Sequence, residues 1–205
     1  MLALSLGGAD GVRLANFLAL GVNALVLSRE WRLANLRHAA LLVVPAVLIT
    51  APTAVLTNHA GSDVLSVAAG VVVLLAVGML ALGVRVERLR GRAGALATGL
   101  VSGVMNTIAG VSGPVVATYA ANAEWRPRDL RPTLALYFLV LNVAAVLARG
   151  VPSFSDAFIG GLAAALVTGF VVGASVRHFV SFRTVQAGIL VLAALGGLGA
   201  IARGL

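Results

Sequence analysis

Most of the fifteen basic residues of this chain, all of them arginine, sit in four clusters at 29–37, 85–92, 126–131 and 177–183. Between the clusters run long apolar stretches with almost no charge. Few folds tolerate that alternation in water, and it is the pattern of a helical protein that crosses a membrane several times. Composition agrees. Hydrophobic residues make up 60% of the 205, charged residues only 11%, and the mean hydropathy is +1.03. A soluble domain carries about 25% charged residues. A water-soluble enzyme is therefore excluded. A nucleic-acid binder is excluded too, despite the net charge of +8, because the arginines do not form one face. With no cysteine, disulfides, thiol catalysis and thiolate metal sites are ruled out. The use of arginine in place of lysine hints at a GC-rich bacterial coding bias.

Seven apolar segments follow from the charge map: A (11–28), B (38–57), C (64–84), D (93–123), E (130–148), F (157–176) and G (184–202). A spanning helix needs about 20 residues rising 1.5 Å each. Six segments have that length, which predicts about six spanning helices. Segment D is too long and is interrupted by Ala109-Gly110-Val111-Ser112-Gly113-Pro114, whose glycines and proline break the helical ladder. Its halves, Gly94–Ile108 and Val115–Ala123, either stack into one broken crossing or return to the starting side. With loop 29–37 placed in the cytoplasm, only a re-entrant D keeps Arg126, Arg128 and Arg131 on the same side as the other clusters. A re-entrant, broken D is expected.

An offset of 118 residues pairs segment A with E, B with F and C with G. It matches Arg13 with Arg131, Leu18 with Leu136, Thr50 with Thr168, Val73 with Val191 and Gly78 with Gly196. Residues 1–92 then form a first repeat and residues 93–205 a second. A re-entrant D gives the two halves opposite orientation, the inverted repeat of secondary transporters. The same offset places the partner of D before Met1, so the expectation is of a misassigned start or a shortened protein.

Gly99-Leu-Val-Ser102-Gly103, Gly110-Val-Ser112-Gly113-Pro114 and Arg131-Pro-Thr133-Leu-Ala-Leu-Tyr137-Phe-Leu-Val-Leu-Asn142 together resemble the second half of the TauE/SafE-type sulfite exporter family. The resemblance extends over about residues 12–202. It implies an all-α, polytopic, inverted-repeat transporter of sulfite, sulfonates or related small organic anions. It departs from the family in lacking the first glycine-rich motif and in carrying Ser112 where glycine is more usual.

The residues of the break point the same way on physical grounds. Irregular backbone at membrane depth is tolerated where it is buried in protein or lines a wet cavity. Gly110 and Gly113 let the chain turn, and Pro114 suits the first turn of a new helix. The N–H groups of residues 115–117 would then lie at a positive helix end, an anion site in kind. Ser112, Asn106 and Thr107 can add hydrogen-bond donors. The bland alternative is a packing kink. Asn16 and Asn23 share a stripe of helix A with Arg13. Thr133 and Tyr137 share a face of helix E, with Asn142 expected on the opposite face. Ligand contact and interhelical hydrogen bonding both account for these polar groups. Arg13 and Arg131 read as interface anchors. No acidic residue lies deep in any segment, so a carboxylate proton relay is not expected. His38, His59 and His178 share no metal-ligand spacing, and neither metal nor cofactor is expected.

The expected partners are a small anionic substrate and the lipid bilayer of a bacterial plasma membrane, with a homo-oligomer left open and no nucleic acid. Two rivals stand beside the transporter. One is a non-transporting or obligately oligomeric membrane subunit. The other, more remote, is an intramembrane serine protease built on Gly110-Val-Ser112-Gly113. That reading needs a histidine within about 3 Å of the serine, and only His178 follows the motif in the chain.

Overall fold

The computed structural model describes residues 8–82, 91–150, 156–176 and 182–205. Arg85, Arg88, Arg90, Arg177 and His178 lie outside the described residues, so the topology argument that uses those arginines is not addressed by them. Among the described residues there are eight α-helices, one short 3-10 turn and no strand. They are α1 (Gly8–Glu30), α2 (Leu36–Asn58), α3 (Ser62–Ala81), α4 (Gly91–Ala109), α5 (Gly113–Asn122), α6 (Pro127–Arg149), α7 (Asp156–Val176) and α8 (Phe182–Gly204), with the 3-10 turn at Trp31–Leu33. Most run a few residues past the apolar segments read from sequence, because polar caps and N-terminal prolines belong to a helix without being apolar. Asn35 caps α2 by accepting from the His38 N–H at 3.1 Å. Pro127 opens α6, and Gly150, at φ +85°, closes it.

Four stretches are long and apolar enough to cross a membrane: Gly11–Leu33, Leu36–Asn58, Ser62–Ala81 and Arg128–Arg149. The described parts of α7 and α8 add the shorter apolar stretches Gly160–Gly173 and Leu190–Gly204. Large side chains such as Leu75, Val171, Leu192 and Leu195 are exposed on α3, α7 and α8. Hydrocarbon, in which such faces are at no disadvantage, is the solvent they fit.

Four helix pairs dominate the packing: α3 with α8, α2 with α4, α1 with α6 and α2 with α6. Two glycines explain the close approach of α4 to α2. A Cβ on Gly99 would lie 2.5 Å from the Leu42 carbonyl oxygen, and one on Gly103 2.6 Å from that of Ala46. Small residues four apart let α4 lie directly on the α2 backbone, the usual way to bring membrane helices together. A core of Leu42, Ala46, Ala95, Val116, Tyr119, Tyr137 and Leu141 joins α2, α4, α5 and α6.

Directions follow from the contacts. Arg131 at the start of α6 bonds Glu30 at the end of α1, so these helices run antiparallel. Thr133 accepts from the Asn35 N–H, and Arg149 donates to Thr57, so α6 and α2 run parallel. Helices α4 and α5 form a hairpin. The Tyr119 hydroxyl donates to the Gly91 carbonyl at 3.2 Å, and Trp125 stacks on His38 with ring centroids 4.9 Å apart. Both ends of the hairpin therefore lie at the end of the bundle that carries Asn35, His38 and Thr133. Its tip, the break at 110–112, reaches α1, where a Cβ on Gly110 would sit 3.5 Å from Ala15.

Candidate functional site

The hairpin tip is built from positions that only certain residues can fill. Gly110 has φ +67°, a left-handed conformation that side chains other than glycine's rarely adopt. Gly113 does not share it. Its Cβ position is open, with nothing within 4 Å. Helix α5 begins at Gly113, with Ser112 as N-cap and Pro114 in its first turn. The expectation of free N–H groups at 115–117 shifts accordingly. Val116 donates to the Ser112 carbonyl at 3.5 Å and Pro114 has no N–H, so Gly113 and Val115 supply the unengaged donors of the first turn.

Three helices bring polar side chains to this tip. Ser112 is 2% exposed, and its Oγ donates to Asn106 Oδ1 at 3.5 Å. Asn106 Nδ2 donates to Asn142 Oδ1 at 3.4 Å. Asn16 approaches from α1. Its Oδ1 lies 3.7 Å from the Cβ position of Gly110 and is buried without a hydrogen-bond partner. N–H···O bonds prefer about 2.9 Å and O–H···O bonds about 2.7 Å, so the links through Asn106 are loose. A buried network this slack is under-satisfied, and an incoming acceptor gains donors without breaking strong bonds.

The remaining residues singled out in the sequence lie elsewhere. Thr107 is fully buried, but its hydroxyl donates to Gly103 O at 2.8 Å in its own helix, on the α2 side. Asn23 donates to Ala19 O at 2.7 Å, again within its helix and two turns from Asn16. Thr133 holds the start of α2, accepting from the Asn35 N–H at 2.9 Å. Tyr137 shares a hydrogen bond with Ser102. Asn142 was placed opposite Tyr137 on the wheel, yet both reach α4. A helix that crosses its neighbour meets different faces at different heights.

Sequence reasoning passed over other buried polar groups. Ser102 and Thr98 are 0% and 2% exposed, and with Asn106 they form a stripe at every fourth residue of α4. Thr98 Oγ1 has no hydrogen-bond partner. The four-residue spacing was available in the sequence as a signal. The His38–Trp125 stack joins residues far apart in the chain and left no such trace. Among the described residues no three His, Cys, Asp or Glu side chains lie close enough to hold a metal ion. Ser112 bonds an amide oxygen, which cannot take its proton as a protease base does. An apolar groove of about 490 Å³ between α1 and α7, lined by Leu14, Phe17, Gly21, Leu162 and Leu166, offers a ligand almost no polar contact.

Two kinds of comparison add nothing: no curated protein and no solved structure matches the chain. A family model does match. It is described as "Sulfite exporter TauE/SafE" and covers residues 1–200.

Proposed function

The chain belongs to the TauE/SafE sulfite exporter family, a family of membrane transporters, and on that footing we propose that it carries small sulfur oxyanions or related organic anions across the bacterial plasma membrane. The anion is held at the hairpin tip, by Asn106, Ser112, Asn142 and Asn16 and by the N–H groups of Gly113 and Val115. The carrying observation is the slack link Ser112–Asn106–Asn142 at the start of α5, where neutral donors face a positive helix end. Neutral donors suit an anion that has to be released again, since a fixed full charge would hold it too firmly.

In this reading α4–α5 is a re-entrant hairpin, six other helices span the bilayer, and α1–α2–α3 and α6–α7–α8 are inverted halves. The packing of α1 on α6 and of α3 on α8, each helix on its repeat mate, supports that arrangement. Single-cysteine labelling is clean in a chain with no cysteine. Cysteines at Gly91 and Ala123 are expected to label from the same side. Opposite sides would end the re-entrant model.

The site is tested by flux of sulfite and a simple sulfonate into vesicles, at matched protein levels. Gly113→Ala adds one methyl in open space, so it folds normally but intrudes where the anion meets the helix start. It is expected to cut flux by about tenfold or more, by blocking hydrogen bonds to the anion. Gly78→Val on α3, whose Cβ position is also open, leaves flux near the wild type. Equal effects of the two would remove the site assignment.

A further inference from the structure

The apolar groove between α1 and α7 leads to charge at one end. Toward the end of α1 it gives way to a second cavity of about 620 Å³, bordered by Val26, Arg29 and Glu30 of α1, Arg131 of α6 and Gly169 and Phe170 of α7. Ser28 and Val167 border the groove, Val26 and Gly169 the second cavity, so the two follow one another along both helices. Along α1 the groove runs from Leu14 to Ser28, about 21 Å at 1.5 Å per residue. The hydrocarbon of one leaflet is about 15 Å deep, half of a core about 30 Å thick. Val167 on the groove wall is exposed, so the groove opens sideways, where the bilayer lies. The second cavity sets two arginines against one carboxylate. Arg131 donates to Glu30 at 3.1 Å. Arg29 is exposed and lies over the Phe170 ring, 5.4 Å from its centroid. A ring holds a cation by its quadrupole and supplies no oxygen for the five N–H donors of the guanidinium. The chain that follows α1, residues 31–37, carries Arg32 and Arg37, and residues 177–183 after α7 carry Arg177 and Arg183; neither stretch contains Asp or Glu.

We propose that the two cavities together seat one anionic glycerophospholipid, with an acyl chain along the groove and its phosphate at Arg29. The site is separate from the hairpin tip and does not depend on what the chain carries. Hydrocarbon solvates apolar helix faces everywhere, so the groove by itself selects no particular lipid. Selection comes from the arginine end. A guanidinium fork matches two oxygens of a phosphate at once. The Glu30 carboxylate is held by Arg131, which neutralises it beside the phosphate, and Arg29 leaves the cavity with a positive balance. A zwitterionic lipid brings an ammonium to that same place and gains less. Basic pockets between helices on the cytoplasmic side are suited to anionic headgroups, and in the proposed topology the arginine clusters mark this end as cytoplasmic. A free phosphate would use Arg29 and leave the groove empty. The groove and the arginines are consecutive along the same two helices, which fits a ligand with an apolar tail and a charged head.

The test uses the full chain in neutral, lipid-free detergent, with thermal unfolding followed as lipid is added. Dioleoyl phosphatidylglycerol is expected to raise the midpoint until the site is full. Dioleoyl phosphatidylethanolamine, with the same chains, is expected to bind about fivefold more weakly, and glycerol phosphate, with the phosphate but no chains, to leave the midpoint unchanged. Arg29→Gln is expected to weaken the apparent affinity for phosphatidylglycerol about fivefold and to remove the preference over phosphatidylethanolamine. Ala163→Trp fills the groove from an exposed position and is expected to weaken binding of both lipids, whereas Leu195→Trp on the exposed face of α8 leaves both unchanged. Equal stabilisation by the two lipids, or undiminished phosphatidylglycerol affinity in Arg29→Gln, would reduce the lipid to solvent and overturn the proposal. Stabilisation by glycerol phosphate as strong as by phosphatidylglycerol would assign the arginines to a free anion and equally overturn it. If Arg29→Gln fails to accumulate, Ala163→Trp decides, and unchanged phosphatidylglycerol affinity in it counts against the site. Sulfite, titrated in the same assay, reports on the anion carrier separately, and Arg29→Gln is expected to keep the wild-type sulfite response. Loss of both responses in Arg29→Gln would make Arg29 a structural residue and overturn the lipid site.

Discussion

The antiparallel pair α1 and α6 has two ends, and the ends are built differently. At one, Arg131 donates to Glu30 at 3.1 Å, with the two side chains 54% and 30% exposed. At the other, Arg149, only 8% exposed, donates to Thr57 at 2.6 Å. The offset of 118 relates Arg131 to Arg13 and Glu30 to Ala148. In the proposed repeat, the position that holds a carboxylate in the first half holds a methyl group in the second. The first end neutralises its arginine within the protein, in contact with solvent. The second buries its arginine against a threonine hydroxyl, away from solvent.

Restoring the missing acid is the strongest way to break the comparison. Ala148→Glu places a carboxylate where Glu30 stands at the other end. It is expected to compete with an anion at this end of the helix pair and to weaken stabilisation by sulfite. Flux should fall by about a hundredfold, on the scale of a buried charge pair that a ligand has to displace. Flux near wild type in a stably inserted Ala148→Glu would mean that anions do not pass this end at all.

Next in size is the tip itself. Gly110→Val forces a β-branched residue into φ +67°, beside Asn16 and Ala15 of α1. Backbone strain of this kind costs about 1–3 kcal/mol. The turn is expected to shift, with loss of most flux and a lower unfolding midpoint. Gly113→Ala differs in kind, since it loses flux without losing stability. Comparing the two variants separates the shape of the turn from the space for the anion. If both lose stability equally, Gly113 has a structural task that its open surroundings do not reveal.

That distinction also marks how far the sequence could be read. The broken segment was legible because glycine and proline have few uses inside a membrane helix, and arginine placement was enough to expect a hairpin. Which glycine takes the left-handed turn was not legible, since Gly110 and Gly113 are equivalent on paper and only the path of α1 past the tip separates them. Ser112, Asn106 and Asn142 were legible as buried polar groups. Thr107 and Asn23 looked the same, but their bonds close on their own helices, an option open to any Ser, Thr or Asn in a helix. Arg149 falls in the gap between segments E and F, where the sequence alone shows a single arginine. Its hydroxyl partner is 92 residues away, and no local pattern announces a contact across that separation.

The smallest effect is expected at the end that is already neutral. Glu30→Gln removes the partner of Arg131, yet both side chains are substantially exposed and the 3.1 Å contact is open to water. Exposed pairs contribute about 0.2–1 kcal/mol and are screened by salt. Glu30→Gln is therefore expected to lower the midpoint slightly at low ionic strength and not at all at high ionic strength. Sulfite stabilisation should stay at the wild-type level, because the change leaves an arginine that water can solvate. This is the outcome that gives Ala148→Glu its meaning. If removing the acid at the exposed end altered sulfite binding as much as adding one at the buried end, the effect would be long-range charge alone. An unchanged sulfite response in Glu30→Gln, beside a weakened one in Ala148→Glu, would tie the anion to the buried end of the pair.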